Sequence, residues 1–425
     1  MFTAVDLDQL NQRGDDELDS LVTDMADSLG GAQSAALLFR RLLAAERLPL
    51  AKLETLRDER LLTPPVIEFL ASRQALPDLS WLNRAQIHAG GEFFRRRGIA
   101  AFMGLAFASL PSCYCWNVEA VILNTTGRLS QRCCIPRRIP ETAQFVLDIG
   151  TADAFVPEGI GIQAARKIRL LHAVMRYLLQ RDPGAARSQH GHYPPGDIPP
   201  WDPKNQGAPI SQEFLAATLL TFHYVTLHSM ERLGLILTVD EQQDYIHRWS
   251  AAGWFLGIEP QILERLRTMG DCAQLYQLVM TRRREPTVQA HALSATLLRY
   301  VRINIIESVS GGIFNPLTLV PRILTRYLSG KETCAALSMR LRVLDCVLYF
   351  PIVLGTRLVG WLDNFPLFQT LTRQIIRYAA THIWRLVHPQ ALADVPPMAA
   401  GNTDGRRREI VRVHPDLAAA WGLIP

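Results

Sequence analysis

Apolar residues recur along nearly the whole chain at spacings of three and four, the period of a helix with one buried face, and strand-like alternation is scarce. The pattern predicts acidic amphipathic helices over about 5–29 and 32–47. A longer segment follows over 78–110, apolar in its second half, IAAFMGLAFASL. Further helices are expected over 116–129, 141–150 and 161–179. The period breaks at 181–209, RDPGAARSQHGHYPPGDIPPWDPKNQGAP, a Pro- and Gly-rich stretch of the length usually given to functional loops or linkers. It resumes near 210, with Ser211 and Glu213 as start signals. A segment over 239–258 ends at Gly257 and Pro260, and helical periodicity continues to about 388, before a Pro-rich tail. No fixed-period repeat interrupts this, and an all-α chain is the expectation.

Length and composition refine the picture. The chain has 425 residues, 48% of them hydrophobic and 20% charged, enough for one large helical domain with extensions. Its net charge is +5, with the Lys and Arg scattered and one dense run at Arg406–Arg408, so a nucleic-acid partner is not expected. The acidic N-terminus has no basic-then-apolar leader, and the seven cysteines show neither zinc-finger spacing nor a disulfide framework. A cytoplasmic setting with reduced thiols is expected on those grounds. The most apolar run, Val343–Leu362, is interrupted by Asp345, Pro351 and Arg357. It is expected to be buried or interfacial, and peripheral membrane contact stays open.

The candidate chemistry centres on RKIRLLHAVMRYLL, residues 166–179. On a helix of 3.6 residues per turn, Ala165, Ile168, Met175 and Leu179 share the side of His172, while Arg169 and Arg176 flank its edge. An imidazole there is either a core histidine bonded to a carbonyl or a ligand for a metal or haem. Other candidates are weaker. Gly159, Gly161 and Ala164 mimic a dinucleotide-binding loop, but no strand precedes them and a structural turn is expected. His190 and His192 lack a third ligand, His223 and His228 fall on different sides of a helix, and Asp244-x-x-His247 is not a di-iron motif. There is no P-loop and no G-x-S-x-G elbow.

Arg138, Thr142 four residues on and His172 thirty further, the last within RLLHAVMR, together resemble the rubber oxygenase (latex-clearing protein) superfamily, which includes the mycophenolate-pathway oxygenase. FVPEGIG, PISQEFLAATLLTF and HRWSAAGWFLGIEPQIL extend the likeness over about 100–263. The resemblance implies a globin-like helical core holding haem b, with dioxygen as co-substrate. It implies His172 as the proximal iron ligand, with Arg138 and Thr142 beside the cofactor. Arg169 or Arg176 suits the haem propionates, because a guanidinium matches carboxylate geometry. The expected organisation is an N-terminal extension (1–90), the haem-binding core (91–290), C-terminal helices packed on it (291–390) and a tail (391–425).

Two positions depart from the family pattern. Glu141 stands where some members have a Lys that caps the iron, and Ile122 stands where they have a Glu acting as base, with Glu119 the nearest acid. Of these acids, Glu141 adjoins Thr142 and is the better candidate for proton transfer. The expected function is a haem-dependent oxygenase acting on a small apolar unsaturated substrate. A non-catalytic haem sensor or carrier and a lipid-binding peripheral protein are the alternatives.

Overall fold

The computed structural model describes residues 2–117, 122, 135–186, 201–301, 319–365, 367–368, 371–372, 374 and 413–421, with the side chains of 135–138 and 186 outside that set. Most of the expected helix over 116–129, the loop histidines His190 and His192, Glu119 and most of the tail lie outside the described residues.

The first layer is α1 (Ala4–Asn11), α2 (Asp16–Leu29), α3 (Ala32–Ala44), α4 (Leu50–Asp58) and α5 (Pro64–Ala71). Thr3 opens α1 with a capping box: its hydroxyl accepts from Asp6 N at 3.2 Å, and Asp6 accepts from Thr3 N at 2.7 Å. The predicted 5–29 helix is thus two helices, separated at Gly14. Gly14 lies close to the side chains of Asp19 and Arg176 there. The helices α4 and α5 escaped the period reading because each is only two turns long.

A long helix, α6 (Arg84–Gly104), starts at Asn83, whose side chain accepts from Ala85 N and Gln86 N. It runs into a π-turn, Leu105–Ser109, and then α7 (Leu110–Tyr114). Pro111 explains the wide turn: it has no N–H to bond the carbonyl of Phe107 four residues back. Ser329 supplies the missing donor, its hydroxyl bonding Phe107 O at 2.7 Å.

Next come α8 (Ile135–Gly150), α9 (Ile160–Arg181), a short α10 (Pro203–Gln206) and α11 (Gln212–Leu220). Ser211 caps α11, as its sequence predicts, by accepting from Phe214 N. A second π-turn, Thr221–Val225, leads into α12 (Thr226–Arg232). The hydroxyls of Thr221 and Thr226 bond the carbonyls of Thr218 and Thr221 there, satisfying groups a wide turn loosens. The chain continues through α13 (Val239–Phe255), α14 (Pro260–Glu264), α15 (Met269–Arg283), α16 (Val288–Val301), α17 (Val320–Ala336), α18 (Val343–Leu362) and α19 (Pro415–Ala420).

The described residues are helical throughout, with no strand and one isolated bridge between Trp116 and Arg284. The chain is all-α. A single apolar core runs from Phe2 to Trp421 and includes residues of the N-terminal layer, α6, α8, α9 and α13. The packing of α13 on α6 is the most extensive. Gly90 permits it, since a Cβ would lie 2.3 Å from Asp244 O. Arg248 of α13 is buried there and donates to Ile149 O and Ile87 O at 2.7 Å each, and to Thr151 O. Burial pushes its pKa down to about 10.

Candidate functional site

His172 sits halfway along α9, and the burial of that helix is interrupted around it. From Ala173 to Leu179 every residue is buried, whereas Ile168, Leu171 and His172 are half-buried. Those three occupy i, i+3 and i+4, so they form one patch on the helix surface. The patch is apolar apart from the imidazole.

Two other helical segments carry similar breaks. On α8, Glu141, Thr142 and Ala143 are half-buried, while Gln144 to Gly150 are buried. On α11 and the π-turn after it, Phe214, Thr218 and Phe222 are the half-buried positions at intervals of four. The helices α8 and α9 pack together, and α13 touches α9, α11 and the second π-turn. Three aromatic rings close the join. Phe145, one turn beyond Thr142, lies edge-on to Phe222 (6.4 Å) and Trp249 (6.1 Å). Phe222 stacks on Trp249 at 5.0 Å. Thr218 Oγ1 is buried with no hydrogen-bond partner among the described residues.

Of the residues singled out by sequence, Thr142 and Glu141 lie on α8. Arg138 is one turn earlier in the same helix, which runs through Pro140 without a break, so the i, i+4 relation with Thr142 holds in the backbone. The side chain of Arg138 lies outside the described set. Arg169 and Arg176, expected to suit haem propionates, both have acidic partners within the protein. Arg169 donates to Asp15 through Nε at 2.5 Å and Nη2 at 2.9 Å, and its guanidinium lies 4.9 Å from the Phe69 ring centre. Arg176 donates from Nε to both oxygens of Asp19 at 2.7–2.8 Å and from Nη1 to Ile210 O at 3.2 Å. Both cations are buried against α2 and its approach, and Asp19 is held above the ordinary carboxylate range, chiefly by burial. The acidic partners are more than 150 positions away, beyond the reach of any local pattern.

The remaining candidates resolve as structure. A Cβ on Gly159 would meet Asp153 O at 2.3 Å, and one on Gly161 would meet Ala154 at 2.8 Å, so the G-x-G stretch is the tight turn that starts α9. His247 accepts from Asn83 N at 2.7 Å, and burial pushes its pKa down to about 4. His223 is fully buried in the second π-turn, its Nδ1 4.0 Å from Cys272 Sγ and its pKa down to about 3, again from burial. His228 is exposed and stacks on Tyr224. Among the described residues, no three His, Cys, Asp or Glu side chains come together as a metal site. A cleft of about 420 Å³ between α6 and α19, lined by Glu92, Arg95, Thr151 and Asp416, contains none of the candidate residues. The aromatic group Phe145–Phe222–Trp249 was not anticipated. Phe222 and Trp249 do lie in the segments that carried the resemblance, but the π-turn that aims Phe222 has no sequence period of its own.

Residues 94–358 match the family of catalytic domains described as ER-bound oxygenase mpaB/B' and rubber oxygenase. The chain belongs to that family. It is similar to a rubber oxygenase from Streptomyces sp. (strain K30), 25% identical over 252 residues; the match covers 59% of this chain and 55% of that enzyme, about half its length. Its fold is that of a latex clearing protein, LCP, in the closed state, with a TM-score of 0.61, 19% identity, and coverage of 87% of this chain and 91% of that one.

Proposed function

We propose that the chain is a haem b-dependent oxygenase for a small, apolar, unsaturated substrate, with His172 as the proximal ligand. The observation that carries this is the opening in α9: one imidazole, half-buried beside the equally half-buried Ile168 and Leu171, just before the buried run Ala173–Leu179. The donor set suits the group. Haem brings four equatorial nitrogens of its own, so a single protein imidazole is enough, and an apolar patch is what a flat macrocycle packs against. When bound, the haem supplies activation of dioxygen.

The protein's own residues do the rest. His172 would hold the haem iron through its imidazole. Arg138, one turn before Thr142, supplies a cation for an anionic edge of the cofactor. The Thr142 hydroxyl can donate and accept, and so orients a polar atom at the reacting end of the substrate. Glu141 would be the carboxylate able to exchange a proton with a polar atom of the substrate, because Ile122, buried at 6% exposure, offers none at the position used elsewhere in the family. Phe145, Phe222 and Trp249 exclude water and receive an apolar chain. The name of the Streptomyces relative supports an isoprenoid-like alkene.

The visible spectrum of the purified protein tests this. A Soret band that disappears in a folded His172→Ala variant is expected. Stoichiometric haem with an unchanged spectrum in that variant would overturn the ligand assignment. Oxygen uptake with isoprenoid alkenes, followed by mass spectrometry, tests the reaction; a red protein that converts no alkene is a haem carrier instead.

A further inference from the structure

One half of α18 is exposed and almost wholly apolar. Val343, Val347, Phe350, Leu354, Leu358 and Trp361 follow one another at intervals of three and four and are 81%, 65%, 71%, 54%, 51% and 48% exposed. Twenty residues at 1.5 Å per residue give a stripe about 30 Å long. It continues past the helix through Phe365 and Leu367, the latter 91% exposed. An apolar surface of this extent is unusual in a protein that meets only water.

The opposite half is fastened to the body of the protein. A Cβ on Gly360 would lie 2.1 Å from Leu233 O, and one on Gly234 would lie 2.3 Å from Arg357 O, so backbone touches backbone along this side. Asn364 accepts from Ile236 N at 3.0 Å and donates to Gly234 O at 3.1 Å. Although α18 is long and apolar enough to cross a bilayer, it packs against α17, and its last turns meet the segment that follows α12. It presents a face, lying flat.

The charges around this face have one sign. From Arg340 to Asp363 the two acids are turned inward: Asp345 is buried against Arg322, and Asp363 pairs with Arg97. The three remaining charged residues, Arg340, Arg342 and Arg357, are all exposed arginines. We propose that the exposed half of α18 seats the protein in the interface of an anionic lipid bilayer, with the apolar stripe among the acyl chains and the arginines at the phosphates. An apolar helix face with cations at its border is the arrangement that binds in the plane of a membrane. The inference does not depend on the oxygenase reading, because it is tested by binding without turnover.

The experiment uses the full chain and vesicles of phosphatidylcholine, with and without phosphatidylglycerol. Flotation with the vesicles is expected, stronger with phosphatidylglycerol and weaker at high salt. Phe350→Glu with Leu354→Glu should weaken binding by about tenfold or more, while Val288→Glu, at an apolar site exposed on α16, should leave it unchanged. As an independent readout, brominated lipid should quench the wild-type fluorescence, and Trp361→Phe should remove much of that quenching. Failure of the wild type to float, or equal flotation of the double Glu variant, overturns the proposal. So does a dimer dissolved by those substitutions in a protein with no vesicle affinity, which would assign the face to a second copy of the chain.

Discussion

Arg169 holds Asp15 in a two-point grip, with hydrogen bonds of 2.5 and 2.9 Å across 154 positions of sequence. Arg176 repeats the arrangement with Asp19, 157 positions away. These pairs bind the helix that carries His172 to the N-terminal layer, which lies before the family-matched region that starts at residue 94. The N-terminal helices thereby supply the countercharge for the helix of the candidate site.

Removing one partner exposes that dependence. Asp15→Ala leaves the Arg169 guanidinium buried without its anion, and the expected cost is about 3–5 kcal/mol. Asp8→Ala breaks the pair with Arg282, in which Asp8 is 64% exposed, and should cost under about 1 kcal/mol. Urea denaturation of the two variants measures the difference; equal losses would contradict a structural role for the grip.

With Glu141 in place of a capping Lys, the ferrous protein is expected to bind carbon monoxide promptly on mixing. The readout is the shift of the Soret band. A six-coordinate ferrous spectrum that resists carbon monoxide would reveal another internal ligand.

Three substitutions on α8 separate holding from turnover. Arg138→Ala should lower haem occupancy. Thr142→Ala should retain haem yet reduce turnover by about 10²-fold, the usual effect of losing one oriented hydrogen bond at a developing charge. Glu141→Gln should also reduce turnover, with its spectrum unchanged. Full oxygen uptake in both the Thr142 and Glu141 variants would remove their catalytic roles.

Burial of His247 gives a pH dependence with a definite sign. Its folded pKa is about 4 against 6.5 for an ordinary histidine, so the unfolded chain takes up the proton first as pH falls. Its contribution is complete above pH 6.5 and is lost progressively down to about pH 4. His223, with a pKa of about 3, acts in the same direction. His247→Gln keeps an acceptor for Asn83 N without a titrating ring. The drop in Tm between pH 7 and 4.5 should be smaller in this variant by a few degrees; an equal drop would assign the dependence to other groups.

Local pattern revealed what local forces build. The helix over 161–179 was readable because its apolar positions keep the helical period, and it appears as Ile160–Arg181. Ser211 was readable as a cap because capping is decided within three residues. The partners of Arg169 and Arg176 were not, since charge pairing across 150 positions depends on how whole layers dock. The π-turns were hidden for a different reason: each is a single wide turn stabilised from outside the local sequence or by hydroxyls, as Ser329 does for Phe107. The openness of the patch around His172 was likewise hidden, because burial on α9 depends on distant helices such as α8 and α13 that pack against it.

The grip of Arg169 on Asp15 also sets an order of events during synthesis. At the usual 5–20 residues per second, α2 leaves the ribosome roughly 8–30 s before α9 follows it. Through that interval Asp15 and Asp19 have no cation from α9 and remain hydrated, so the N-terminal helices can form but cannot settle. Docking of α9 then withdraws the acids from water and closes the N-terminal layer in the same step. The earlier-made layer is therefore completed only when the later-made helix arrives, and a nascent chain that stops short of residue 160 should protect its α2 amide protons less than the full chain does.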